Sequence, residues 1–233
     1  MIGRIFLAAL AAGLIAGAFV SVAQMVKVVP LIHAAEVYEA PAAAQNHTHD
    51  AASATTAHSH DHESWMPEDG GERIMYTVLT NFVLGAGFGL LIAAGMTLRG
   101  RTTDWRRGLI WGASGFLAFS FLPALGLPPE LPGMAAADLT GRQIWWVMTA
   151  AASAGGLALI AFGSNWPLRF LGAAMLAIPD IVGAPHPDEF WGGVPAELAA
   201  QFVATSLVTA GLFWLLLGAL TGHFIGRSLQ SDG

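Results

Sequence analysis

Long apolar stretches, separated by short polar or Pro/Gly-rich breaks, set the pattern of this chain. Residues 5–26 run from Ile5 to Val26 without a charge. At 1.5 Å per residue they make about 33 Å of helix, enough to cross a hydrocarbon core of about 30 Å. Residues 74–98, bounded by Arg73 and Arg99, form a second stretch. Residues 108–126 form a third, ending at the breaker GLPPELPG, and residues 143–163 a fourth, ending at SNWP. Residues 168–182 form a fifth, short and interrupted by Pro179 and Asp180, and residues 198–222 a sixth. The expected fold class is all-α: a polytopic membrane helical bundle of about six (five to six) transmembrane helices, with residues 1–233 making a single transmembrane domain.

Composition agrees with that pattern. The chain is 55% hydrophobic and 11% charged, with a mean hydropathy of +0.57, against about 25% charged residues in a soluble domain. Cysteine is absent, which removes disulfides, thiolate metal sites and a cysteine nucleophile. No basic patch interleaved with aromatics points to nucleic acid. No Walker A motif, HExxH or nucleophile–base pair occurs, so the chain is expected neither to hydrolyse ATP itself nor to be an enzyme.

Between the first two apolar stretches lies the one sizeable polar region, residues 27–73. Most of it, residues 40–68, is rich in Ala, Ser, Thr, His and acids, and is expected to be a disordered loop. Arginine placement orients the chain. With the N-terminus in the cytoplasm, Arg4, Arg99, Arg101, Arg106, Arg107, Arg169 and Arg227 fall inside, and Lys27, Arg73 and Arg142 fall outside. Both termini are then cytoplasmic, six spans result, and the polar loop lies on the outer face of a bacterial inner membrane. The first apolar run also resembles a signal peptide with a small-residue cleavage position after Ala23. It is longer than a usual signal core, so it is expected to remain as an anchor; cleavage would leave five spans. Glycines recur at four-residue spacing, as Gly13 and Gly17, Gly85 and Gly89, Gly108 and Gly112, and Gly218 and Gly222. In lipid that spacing lets helix backbones approach closely, either within one bundle or at a seam between two copies.

Candidate chemistry falls in three places. The outer loop reads HTHDAASATTAHSHDH and carries His47, His49, His58, His60 and His62, out of 8 histidines in the chain, with Asp50, Asp61 and Glu63 among them. Neutral imidazole is a common ligand for zinc, nickel, cobalt and copper, and carboxylates can complete the coordination. Such a cluster without a core to pack into reads either as a transition-metal collector or as a solvated spacer. Capture by it is expected to weaken as pH falls through the ordinary histidine pKa of about 6.5. Near the outer end of the first span, His33 and Glu36 are three residues apart and share a helix face; they read as an N and an O ligand or as an interfacial helix end, with Gln24 about two turns deeper. The stretch IPDIVGAPHPDEF holds Asp180, His186, Asp188 and Glu189 beside Pro179, which frees a backbone carbonyl. A charge in an apolar segment is expected to face a cavity or a partner. Asn81 and Gln201 read as interhelical hydrogen-bond partners.

The segments GRIFLAALAAGLIAG, VVPLIHAAEVYE, the His-rich insert, WMPEDGGERIMYTVLTN, DWRRGLIWGASGF, PALGLPPELPGMAAADL, RQIWWVMTA, GAPHP and VPAELAAQFVATSLVT together resemble the CbtA family of predicted cobalt transporter subunits. They cover nearly the whole chain. The resemblance implies import of a divalent metal, Co²⁺, in support of cobalamin biosynthesis. It implies no tightly bound cofactor, and as partners membrane lipids and a small, single-span, His-rich second subunit. The family is described with five spans, one fewer than the apolar segments here. Where the resemblance leads one to expect a histidine, this chain has Asp180, so an O ligand would replace an N ligand. A nickel or zinc permease of the same architecture, and a non-conducting membrane-anchored metal-binding or buffer protein, are the alternative expectations.

Overall fold

A computed structural model describes residues 2–46, 67, 70–100, 103–187 and 193–230 of the 233-residue chain. The described elements are α-helical: α1 (Ile2–Lys27), α2 (Val29–Asn46), α3 (Gly71–Arg99), α4 (Trp105–Phe116), a π turn (Leu117–Phe121), α5 (Leu122–Gly126), α6 (Leu139–Phe162), α7 (Trp166–Val182) and α8 (Ala196–Gln230). Five helical stretches among them are long and apolar enough to cross a membrane: Ile2–Lys27, Gly71–Arg99, Trp105–Gly126, Leu139–Phe162 and Ala196–Ser228. The protein is an all-helical, multi-pass membrane protein.

Helix α7, where the fifth apolar segment was expected, has 17 residues, about 26 Å, just short of a bilayer core. It nonetheless carries the chain back along α6. Asn165 caps its start, accepting from the Leu168 backbone N–H at 3.1 Å. At its far end Ala184 and Pro185 lie against Gly126 and Gly141, beside the start of α6. The described residues thus make six helical passes between the two ends of the bundle, five of them on full-length spans. Helix α2 continues to Asn46, into the stretch expected to be disordered, because residues 42–44 are all alanine, the strongest helix former.

Interior and exterior are inverted relative to a soluble bundle. On α1 the fully buried positions are Ala9, Ala12 and Ala16, whereas Leu7 is 65% exposed and Val22 65% exposed. Lipid tails are as apolar as leucine, so large side chains gain nothing by turning inward, and small ones let backbones close up. The spaced glycines do this within the chain. Gly13 lies against the Gly85 backbone, a Cβ on Gly17 would sit 2.8 Å from the Asn81 carbonyl oxygen, and one on Gly89 would sit 2.7 Å from that of Ala9. These contacts step by four in opposite directions, so α1 and α3 run antiparallel. Gly108 and Gly112 meet Gly218 and Trp214 in the same way, joining α4 to α8, and Gly156 meets Gly172 between α6 and α7. Helix α8 also packs along α1, linking the two seams.

The third span is not a regular helix. Pro123 has no N–H and its ring would collide with the carbonyl four residues back. The preceding turn widens into the π turn, with the Leu122 N–H reaching the Leu117 oxygen five residues back.

A leucine at Gly13 has no room without separating α1 from α3, and is expected to destabilise the protein by about 1–3 kcal/mol or more. Gly87 lies on the same helix as Gly85 with nothing within 4 Å of its Cβ position, so Gly87→Leu should change stability by less than about 0.5 kcal/mol. Thermal unfolding of the two purified variants compares them directly.

Candidate functional site

Two polar features interrupt this apolar bundle. The first is at the end where α1 hands over to α2. Pro30 cannot donate a backbone hydrogen bond, and the chain turns at Val28 before α2 continues. His33 and Glu36 follow on one face of α2. The His33 Nδ1 lies 3.0 Å from Glu36 Oε2, and Arg73 Nη1, from the first turn of α3, donates to Glu36 Oε1 at 2.9 Å. The His33 hydrogen bond and then the Arg73 guanidinium hold the Glu36 carboxyl below its ordinary value of 4.5. The α2–α3 contact made by this carboxylate is therefore complete above pH 4.5 and is lost as pH falls through the depressed value.

An ionised carboxylate only accepts, so the proton of the pair belongs on His33 Nδ1. In the neutral imidazole the lone pair is then on Nε2. His33 and Glu36 are thus not two equivalent ligands, as their spacing alone allowed. Glu36 fixes the tautomer, and His33 Nε2 is the atom left to bind a metal, which is the usual division of labour between a ligating imidazole and its supporting carboxylate. Arg73 in turn neutralises Glu36. Its role was not legible from sequence, because it stands 37 residues away across the polar loop.

The second feature lies inside the bundle. A cavity of about 190 Å³ opens between α1, α3, the π turn and α8, with Gln24, Asn81, Ser120, Ser206 and Thr209 on its walls. Asn81 Nδ2 donates to Gln24 Oε1 at 2.7 Å and to Ser21 Oγ at 3.1 Å, and Ser21 donates to the Gly17 carbonyl at 2.8 Å. Asn81 is thereby the interhelical partner expected of it. Trp214 Nε1 donates to Ser120 Oγ at 3.1 Å. Ser206 Oγ is buried without a hydrogen-bond partner among the described residues, as are Thr149 Oγ1 and Ser153 Oγ elsewhere, whereas Ser21, Thr77, Thr97, Ser114 and Thr221 each bond the carbonyl four residues back. A buried hydroxyl left unpaired calls for a water or a ligand. Gln24 is nine residues before His33, about 14 Å along the helical path, so the cavity lies below the His33–Glu36–Arg73 cluster.

The remaining expected ligands fare differently. Asp180 was expected to face a cavity; the structure places it on the exposed side of the last turn of α7, and Pro179 is the buried residue there. Position 180 is close to the helix end, where a carboxylate reaches water without crossing the bundle. His186 is also exposed. Among the described residues no three His, Asp or Glu side chains converge as a metal site. His47, His49, Asp50, His58, His60, Asp61, His62, Glu63, Asp188 and Glu189 lie outside the described residues. Gln201, read as an interhelical partner, is exposed. Ser206 and Thr209 were missed. Their signal was present, as two hydroxyls three residues apart in the last apolar run, one helical turn above Phe213.

A bundle of membrane-crossing helices with ligand-type side chains at one end and a small cavity beneath defines a polytopic membrane protein. The family model for the probable cobalt transporter subunit (CbtA) matches residues 2–226, and the chain belongs to that family. No match is found among curated proteins or among solved structures.

Replacing Glu36 with Gln removes the acceptor that holds the His33 tautomer. The Co²⁺ affinity of the mouth, measured by titration of protein lacking residues 45–63, is expected to drop about 10–100-fold. An unchanged affinity would remove His33 from the metal path.

Proposed function

We propose that this chain is the membrane-embedded, translocating component of an importer for a divalent transition metal, Co²⁺, which supplies cobalamin biosynthesis. The observation that carries the reading is an oriented imidazole at one end of the bundle with an uncharged cavity below it that offers amide and hydroxyl oxygens from Gln24, Asn81, Ser120, Ser206 and Thr209. The His-rich loop collects the ion from the outer side of the inner membrane, with its imidazoles and with Asp50, Asp61 and Glu63. His33 Nε2 receives it, and His186, Asp188 and Glu189 are further candidate donors. The ion then passes the cavity lined by Gln24, Asn81, Ser120, Ser206 and Thr209. Each transfer exchanges one N or O ligand for another, and moderate affinity at every stage keeps release fast.

The orientation that serves this path has both termini in the cytoplasm. Arg4, Arg99, Arg106, Arg107, Arg169 and Arg227 gather at the end of the bundle opposite the His33 mouth, as the cytoplasmic bias of arginine requires. An inward dication gains about 4.6 kcal/mol per 100 mV of membrane potential, so no nucleotide-hydrolysing domain is needed for uphill uptake. The family description is that of one component of a transporter, and a small single-span protein with its own histidines is the partner that fits.

Metal uptake into vesicles, with and without the small partner, across Co²⁺, Ni²⁺ and Zn²⁺ tests the reading. Co²⁺ uptake above background supports it; uptake unchanged for all three ions overturns it, and a preference for Ni²⁺ or Zn²⁺ reassigns the cargo. Deleting residues 45–63 should abolish uptake at low metal and leave the maximal flux at high metal nearly intact. Loss of flux at every concentration, with metal binding also gone, identifies a buffer instead of a permease.

A further inference from the structure

A second, larger cavity among the described residues has no part in that path. It is a half-open groove of about 720 Å³ between α3, α4 with the π turn, and α6. Its walls are apolar over residues 91–98 of α3, 110–119 of α4 and the π turn, and 154–162 of α6, apart from Ser114. Its charged lining residues, Arg99 in the last turn of α3 and Arg107 in the first turn of α4, lie at one end of it. Arg99 is held 4.3 Å over the ring of Phe162, which ties the end of α3 to the end of α6.

We infer that this groove is a binding site for an anionic glycerophospholipid, with an acyl chain along the apolar walls and the phosphate on Arg99 and Arg107. Three observations select this occupant. The lining begins at the arginine end of all three helices and extends about 12 Å along α3 and α6 and about 18 Å along α4 and the π turn, at 1.5 Å per residue. That is one leaflet, half of a core about 30 Å thick. A docked transmembrane helix would need a groove through both leaflets, and the lining stops at mid-depth. The volume lies within the roughly 300–1,000 Å³ of small-molecule sites. The charge is matched to a headgroup: two guanidiniums at membrane-surface level, separated from the hydrocarbon by Phe162 and Trp111, are the arrangement by which basic pockets between helices hold anionic lipid heads. The N-terminus of α4 is not the anion site, because the Asp104 carboxylate already accepts from the Arg107 backbone N–H at 2.8 Å.

The consequence is architectural. Helix α6 and its companion α7 touch the α1–α3–α4–α8 core mostly through the π turn and α5. A lipid in the groove fills the gap at the arginine end, and so bonds the α6–α7 hairpin to the core on the side where protein contact is sparse.

The test uses the full chain in membrane mimetics. Native mass spectrometry compares retention of phosphatidylglycerol and phosphatidylcholine of equal chain length. A surface arginine favours an anionic lipid by about fivefold, so two give a preference of roughly 25-fold. Arg99→Gln with Arg107→Gln should collapse that preference. Ala158→Phe fills the groove without touching either arginine and should reduce retention of both lipids; it also decides the question should the double variant not fold. Inorganic phosphate should not displace the bound lipid, because it lacks the acyl chain. Equal retention of the two lipids by the wild type, full displacement by phosphate, an unchanged preference in the folded double variant, or unchanged retention of both lipids by Ala158→Phe would overturn the site.

Discussion

Hydrocarbon gives a helix no reason to bury a leucine, because the surrounding tails are as apolar as the side chain. Association must then come from dispersion between closely approached backbones, and that requires positions without side chains. In this chain the requirement is met by paired glycines that remove Cβ atoms from both sides of the α1–α3, α4–α8 and α6–α7 seams. The rest of the interior follows from it. With the backbones in contact, the seams themselves are lined by alanine, glycine, serine and threonine, while most leucines and isoleucines of α1 and α3 point outward and a smaller set of large side chains, Ile92, Phe213, Trp214, Leu217 and Ile225, fills the space between the seams. Polar side chains near a seam reach the neighbouring helix easily, which is how Asn81 on α3 reaches Ser21 and Gln24 on α1.

The polar cavity sits where this close packing stops. Helix α8 holds α1 along one side and α4 along the other, and the widened π turn forced by Pro123 keeps the third span from closing against them. Large rings fill much of that gap: Phe88, Phe119 and Trp214 form one cluster, with Trp214 and Phe119 stacked at 5.7 Å and Phe88 4.6 Å from Trp214. The indole N–H of Trp214 is satisfied by Ser120, within the π turn. The same irregularity thus shapes the cavity, supplies one of its hydroxyls and positions the ring that floors it.

Much of the fold was legible in the sequence because membrane helices must satisfy their backbones internally and be long enough to cross. Each long apolar run became a helix, and the spaced glycines marked the contact faces, though not which helix met which. The 17-residue α7 was ambiguous on length and remains intermediate in the structure, a pass without the full length of a span. The site was read less completely. Spacing put His33 and Glu36 on one face, since that is a property of one helix. Arg73 depends on α2 meeting α3, and Ser120, Ser206 and Thr209 depend on a π turn meeting α8, which are tertiary facts. Asp180 shows the opposite failure. A carboxylate in an apolar segment suggested a cavity, but a position one turn from the helix end can be solvated on the outside with little penalty.

Charge balance also constrains what such a path could carry. Glu36 and Arg73 cancel, and the tautomer that donates to Glu36 leaves a nitrogen lone pair on His33 Nε2. The cavity below has two amides and three hydroxyls set among apolar walls, and these would stabilise a cation through dipoles and retained waters rather than through a counter-charge. A carboxylate there would bind a dication tightly and would itself be an uncompensated buried charge whenever the path was empty. Neutral donors avoid both, but they capture weakly from dilute solution. On the proposed reading this divides the labour. Collection falls to the acidic, imidazole-rich stretch outside, where charges are readily solvated, and passage falls to neutral donors inside, where an ion must leave as readily as it arrives.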